Sequence, residues 1–314
     1  MLTAFLSRAD VSRHLQALHL LRELREALAA HPLESSAAPL SLTVKPGVEV
    51  GGAAAASNRA PLATRLHEAL VSATTWSAVP AWCVHTSHAG RAMLQLHESE
   101  SGKLLALMDA TQLAALSASL LSALAADVLA RTDAKNVAVL GSGTAMSSAL
   151  KSLRLVRSIE RVWFHGSNVA ENFELAHRLG NTLSMAISAA DTPREAVKDA
   201  DLVVLTGGVT LGDTPLRPGT HVTVLGAEQF NEPPLSKSTL EHARRFCDAT
   251  PKWSLPFETK LGAVLQSSAP GRERADQLTV FASVSPPQLE LLAAWHVFEG
   301  ARHDDTLTRI DLEA

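Results

Sequence analysis

The chain has 314 residues, 46% of them apolar and 19% charged, which suits globular domains with ordinary cores and leaves room for two. A formal net charge of −4 supplies no basic field, so nucleic acid is not an expected partner, and with no tyrosine present tyrosine chemistry is excluded. Neither an 18-residue apolar span nor a secretory-type N-terminus is found, and the expectation is a cytoplasmic protein that does not engage membranes.

Residues 8 to 30 carry apolar side chains at helical spacing with mixed charges opposite, and Ser7 or Asp10 can cap the start. LSLTV then reads as a strand followed by a Pro46-Gly47 turn, and VPAWCVHTS, RAMLQLHES and KLLALMD read as three more strands. From Thr111 the pattern changes to a long helix rich in alanine and leucine. Strands and helices alternate after that: a helix follows each of NVAVLGSG, RVWFHG and MAISAA, DLVVLTGG and then HVTVLGA complete the run, and RRFCDA is expected as a sixth strand. Such alternation implies a parallel sheet with right-handed crossovers. The last helix, PPQLELLAAWHVFEGA, is expected to return to the first domain, and the tail HDDTLTRIDLEA to be mobile or an edge segment.

The stretch VAVLGSGTAM carries the clearest local signal. A buried strand runs into Gly141-Ser142-Gly143, and a helix opens at Thr144, so backbone N–H groups gather where an anion can sit. The third small residue of a dinucleotide-binding turn is replaced by Met146, which can either fold away or fill the groove. The next strand ends in His165-Gly166-Ser167, offering neither the acid that NAD enzymes use on the ribose nor the arginine of NADP enzymes. The candidate cofactor-binding residues are therefore Gly141, Gly143, Thr144, His165 and Ser167.

Other clusters have plainer readings. His85, His88 and His97 lie close together, yet strand alternation divides them between two faces and no carboxylate or cysteine completes a ligand spacing, so no metal site is expected. Cys83 and Cys247 sit in apolar runs as small buried hydrophobes of a reducing compartment, and no G-x-S-x-G elbow marks a hydrolase. Asp109 reads as a helix cap and Gly207-Gly208 as a tight turn at the carboxyl edge of the sheet.

The order of SGKLLALMDATQL, VAVLGSGTA, VAENFELAHRL, EAVKDADLVVL, PLRPGTHVTVLGA and TVFASVS resembles the ornithine cyclodeaminase and mu-crystallin family nearly end to end. The resemblance implies an α/β fold: a Rossmann-like, doubly wound parallel sheet domain at 117–285, with an α+β substrate and dimerisation domain from 1–116 and 286–314. It also implies a homodimer, or a dimer with a paralogue, and NAD(P)-linked chemistry on amino or imino acids. Several positions depart from the family pattern. Ser41 stands where the family carries a carboxylate-gripping arginine, Trp82 or Cys83 at the place of its lysine, and Ser117 at a second arginine. Glu228 in LGAEQF replaces the family aspartate and is the candidate catalytic acid if the protein turns over substrate.

Replacing an arginine that binds a carboxylate bidentately removes both charge and geometry, at about 2–4 kcal/mol each. Two function readings follow. The leading one is a catalytically degenerate member acting as a binding protein, without a bound cofactor, for a peptide or biosynthetic intermediate in a natural-product pathway. The alternative is an NAD(P)-dependent imine or ketimine reductase, or a cyclodeaminase-type enzyme, on a non-standard substrate.

Overall fold

A computed structural model describes residues 2–31, 33, 40–44, 69–88, 91–141, 144–166, 168–207, 209–257 and 259–312. The chain divides into two compact units, one of residues 1–16, 36–114 and 290–314 and the other of residues 17–35 and 115–289.

In the first unit, β1 (Thr3–Leu6) leads into α1 (Arg8–His14), with α2 (Ala17–Ala30) following in the second unit. The expected single helix over 8–30 is thus two. Ser7 caps α1 in a reciprocal box with Asp10, and Leu15 leaves the helix in an extended conformation where the chain passes between units. The first unit continues with β2 (Leu40–Val44), β3 (Ala69–Thr75), β4 (Ala81–His88), β5 (Arg91–Glu98) and β6 (Leu104–Asp109). Asp109 accepts from the N–H of Thr111 just before α3 (Leu113–Leu129) begins.

Strand β3, ALVSATT, was not expected from sequence; its small residues give a weak alternating signal, and pairing with β2 and β4 on either side makes it a strand. The C-terminal tail forms β15 (Thr308–Ile310), an antiparallel edge strand on β1. The sheet order is β15-β1-β6-β5-β4-β3-β2, with β1 and β6 parallel and the other pairs antiparallel. Leu94, Leu96, Ala106 and Met108 bury one face of it.

The second unit holds β7 (Asn136–Gly141), α4 (Thr144–Leu153), β8 (Arg161–Gly166), α5 (Asn172–Leu183), β9 (Ile187–Ala189), α6 (Pro193–Val197), β10 (Leu202–Leu205) and β11 (His221–Leu225). After them come α7 (Lys237–Glu241), β12 (Arg244–Cys247), β13 (Thr259–Lys260), α8 (Leu261–Leu265) and β14 (Thr279–Ser283), and α9 (Gln288–Ala301) enters the first unit at Glu290. All eight strands run parallel in the order β13-β12-β14-β11-β10-β7-β8-β9, the doubly wound arrangement with its switch point between β7 and β10. RRFC is a strand as expected, but β14 lies between it and β11. Ala138 and Leu140 of β7 join one apolar cluster while Val137 and Val139 join another, so the period of two divides the core between the two faces.

The end of β12 is fixed by one buried carboxylate. Asp248 accepts from the N–H groups of Ala249, Val284 and Ser285 and from Ser283 Oγ, which locks the turn after β14 with Ser285 at φ 55°. Asp248→Ala leaves those donors buried without acceptors and is expected to lower unfolding free energy by about 3–5 kcal/mol, measured by urea denaturation. An unchanged midpoint would show that the turn does not depend on this residue.

Candidate functional site

In the second unit the carboxyl ends of the central strands converge at the switch point, the place where ligands of open parallel sheets collect. Gly141 ends β7 with φ 138°, and a Cβ there would stand 1.8 Å from Thr206 Oγ1. Only glycine permits this approach, because Thr206 N–H donates to Leu140 O at 2.8 Å and draws the ends of β7 and β10 together. Helix α4 opens three residues later, and the first N–H groups of a helix have no intrahelical partner and favour an anion.

Met146 does not occupy that groove. It is 1% exposed and packs with Val137, Val139, Ala149 and Leu150 beneath α4, so the larger residue is taken up by the core. A strand end that only glycine can occupy, with a helix N-terminus three residues on, is compatible with the pyrophosphate of a dinucleotide. Gly143 and Ser167 lie outside the described residues, and of Thr144 the structure fixes the place at the start of α4.

His165, a candidate cofactor-binding residue, is buried at the end of β8, where its Nδ1 lies 3.0 Å from Ala190 O. A carbonyl accepts only, so Nδ1 carries the hydrogen. Asn172 completes this corner, accepting from Gly166 N–H at 2.8 Å and donating to Ala190 O at 3.0 Å. Of the residues that follow, Asn168 donates to Glu171 at 2.7 Å.

Glu228 sits on a short 3-10 turn (Ala227–Gln229) after β11, entered through Gly226 at φ 66°. Its carboxylate is exposed; partial desolvation raises its pKa, hydrogen bonds from its own backbone and from Gln229 oppose the rise, and Asp248 adds to it. The Gln229 amide lies over Gly207 and Gly226, both of which leave room for it. Gly208 lies outside the described residues.

In the first unit the histidines separate. His97 stacks on Trp82 with ring centroids 4.1 Å apart and directs Nδ1 to Gly102 O at 3.1 Å, whereas His85 faces the other way, opposite Leu94. Nothing is described of the His88 side chain. Among the described residues no group of three His, Cys, Asp or Glu side chains could hold a metal. On the inner face, His85 Nδ1 donates to Glu290 Oε2 of α9 at 2.8 Å, with the two side chains 15% and 10% exposed. The hydrogen bond to Glu290 raises the His85 pKa against the opposing effect of burial. Cys83, two residues back on the same face and 2% exposed, is pushed up to about 12 by desolvation and by the charge of Glu290, which makes it a thiol and not a nucleophile.

Sequence reading missed this pair. The available signal was one acid inside the apolar run LELLAAWHVF. Of the positions that depart from the family pattern, Ser41 pairs with Ser72 across β2 and β3, Trp82 stacks on the outer face, and Ser117 is buried in α3. A separate cavity of ≈ 750 Å³, lined by Trp76, Glu98, Trp295 and Phe298 among others, includes none of His85, Cys83 or Glu290. Its size alone does not make it the chemical site.

A parallel sheet with a glycine turn at its switch point, joined in one chain to a mixed-sheet unit that buries a histidine–carboxylate pair, defines a Rossmann-type two-unit protein. The model of the ornithine cyclodeaminase/mu-crystallin family matches residues 80–305, and the chain belongs to that family. The Δ1-pyrroline-2-carboxylate reductase of Bacillus cereus is 24% identical over 242 residues, covering 70% of this chain and 74% of the relative. Among solved structures, the Thermococcus litoralis Δ1-pyrroline-2-carboxylate reductase in complex with NADH and L-proline superposes with a TM-score of 0.77 at 18% identity, covering 98% of this chain and all of the other. An archaeal alanine dehydrogenase dimer with bound NAD gives 0.76 at 19% identity, covering 99% and 100%. No described helix is long and apolar enough to cross a membrane.

The His85–Glu290 pair has a stability consequence. A raised folded-state pKa means that the folded protein holds the proton more tightly than the unfolded chain. The contribution is fully present below the ordinary imidazole value of 6.5 and is lost as pH rises through the elevated value. His85→Gln is therefore expected to lower Tm more at about pH 5.5 than at about pH 9 relative to the parent protein. Parallel Tm–pH curves from differential scanning calorimetry would contradict it.

Proposed function

We propose that the protein is a nicotinamide-dependent reductase of a carbon–nitrogen double bond whose substrate lacks the free carboxylate of the usual amino and imino acids. The observation that carries this reading is the Gly141–Thr206 contact, which fixes the end of β7 at the switch point, three residues before the N-terminus of α4. Met146, packed in the core beneath α4, does not stand in the way of such a ligand. Relatives that reduce imines or bind NAD(H) support the same choice. The binding-protein reading gains no comparable support, nor does a peptide ligand or a natural-product setting.

The cofactor would supply hydride. Backbone N–H groups of the Gly141 turn and α4 would hold its pyrophosphate, and the Gly166–Asn172 corner would meet its adenosine end. Asn168, Glu171 and Asn172 bring no cation to that corner, which favours NADH over NADPH with its extra phosphate. Glu228, partly desolvated at the rim of the same sheet edge, is the residue of this unit suited to orient a substrate or hold a proton. Serine at positions 41 and 117 removes the two cationic carboxylate clamps that the family pattern places there, so an imine without a carboxylate loses little. The homodimer implied by the resemblance belongs to the same proposal.

Titration with NADH is expected to raise Tm and enhance nicotinamide fluorescence, with NADPH at least about tenfold weaker. With NADH bound, 1-pyrroline is expected to be reduced with a kcat/KM at least equal to that of Δ1-pyrroline-2-carboxylate. Failure of both nucleotides to bind would remove the enzymatic reading and restore the binding role.

A further inference from the structure

Buried or half-buried carboxylates in this protein normally have both oxygens engaged. Asp201 accepts from Arg131 on one oxygen and from the N–H groups of Lys135 and Asn136 on the other. Asp248 divides four donors between its two oxygens. Asp304 takes Thr306 on Oδ1, and His14 with Arg13 on Oδ2. Each of these is a structural clasp, complete within the chain.

Glu290 is different. Oε2 receives His85 Nδ1–H at 2.8 Å, but Oε1, shielded from solvent, has no hydrogen-bond partner among the described residues. A buried carboxylate oxygen without a donor is costly, and its cost falls when a donor arrives. Cys83, a weak S–H donor in the same desolvated patch, makes no hydrogen bond to Oε1 among the described residues, and β5 faces His85 with Leu94. The His85 ring remains partly exposed, and its Nε2 makes no hydrogen bond among the described residues.

We propose that the His85–Glu290 pair is a proton-linked binding site for a cationic nitrogen, an iminium or cyclic ammonium, whose N–H donates to Glu290 Oε1 while His85 releases a proton. The release follows from charge. A protonated His85 is stabilised by the Glu290 carboxylate, and a second cation on the free oxygen shares that carboxylate and weakens the hold on the first. The Nε2–H bond breaks, its electron pair stays on the ring nitrogen, and the proton passes to solvent. Nδ1–H keeps its bond to Oε2, and no oxidant or reductant takes part. Glu290 from α9 and Cys83 from the same strand are the titratable groups that act on this pair among the described residues. The choice of nitrogen ligand rests on the imine-reductase reading, but the binding itself needs no cofactor.

The test uses the full chain without nucleotide and pyrrolidinium chloride as probe. Calorimetry near neutral pH in two buffers of different ionisation enthalpy is expected to show binding with release of a fraction of a proton, and affinity rising with pH. A histidine C–H resonance that disappears in His85→Gln should move towards its neutral position as probe is added. Glu290→Gln is expected to weaken binding at least tenfold and to abolish release. His85→Gln should keep binding but release nothing, a split that loss of structure alone does not produce. Glu290→Gln that binds as tightly as the parent, or a parent that binds without releasing protons or does not bind, would overturn the proposal. NADH binding measured on the same samples keeps the two proposals apart, since either can fail while the other stands.

Discussion

The second unit depends on how closely two strand ends can approach at the switch point. Thr206 presses against the α-carbon of Gly141 at a distance no side chain would allow, and the Thr206 N–H closes on Leu140 O. That contact brings the carboxyl ends of β7 and β10 together at the switch point, with the Gly166–Asn172 corner beside it in register. The residue that looks most foreign in the motif, Met146, lies on the core side of α4, where side-chain volume is traded against Ala149 and other small neighbours. A glycine at the first position is required by backbone geometry, whereas the third position answers to packing, and packing tolerates repartition of volume.

Much of this was legible in sequence because it rests on periodicity. Five of the parallel strands follow from apolar runs bounded by glycine or charged turns, and the order of βα units gives the doubly wound sheet without further information. Strand β3 escaped because alanine, serine and threonine carry little alternation, and the division of the first helix escaped because no glycine or proline marks Leu15. The interposition of β14 between β11 and β12 is a tertiary choice that no local pattern records.

The candidate chemistry was less legible, for a different reason. Met146, Ser41 and Ser117 were visible as departures from a pattern, and a reading built on departures leans towards loss of function. The pair His85 with Glu290 joins residues about two hundred positions apart, and neither stands in a motif. A carboxylate inside an apolar helical run is the kind of signal that matters here. Its meaning depends on which side chain the fold brings opposite, and only the sheet register and the course of α9 supply that.

Two histidines show how far environment decides chemistry in this chain. His221 is fully enclosed and lies between Thr279 and Thr223. Thr279 donates to Leu129 O, so it accepts from His221 Nδ1–H, which leaves Nε2 to accept from Thr223. Burial, with Arg272 and Arg157 nearby, lowers its pKa to about 3, so the ring stays neutral and its stability contribution is lost only as pH falls from the ordinary imidazole range towards that value. His85 meets a carboxylate instead of a guanidinium and shifts in the opposite direction, keeping a proton that it can give up. One ring is fixed in a tautomer by two threonines and serves the core. The other is poised by a carboxylate with an oxygen to spare, and that spare oxygen gives its proton a role beyond stability.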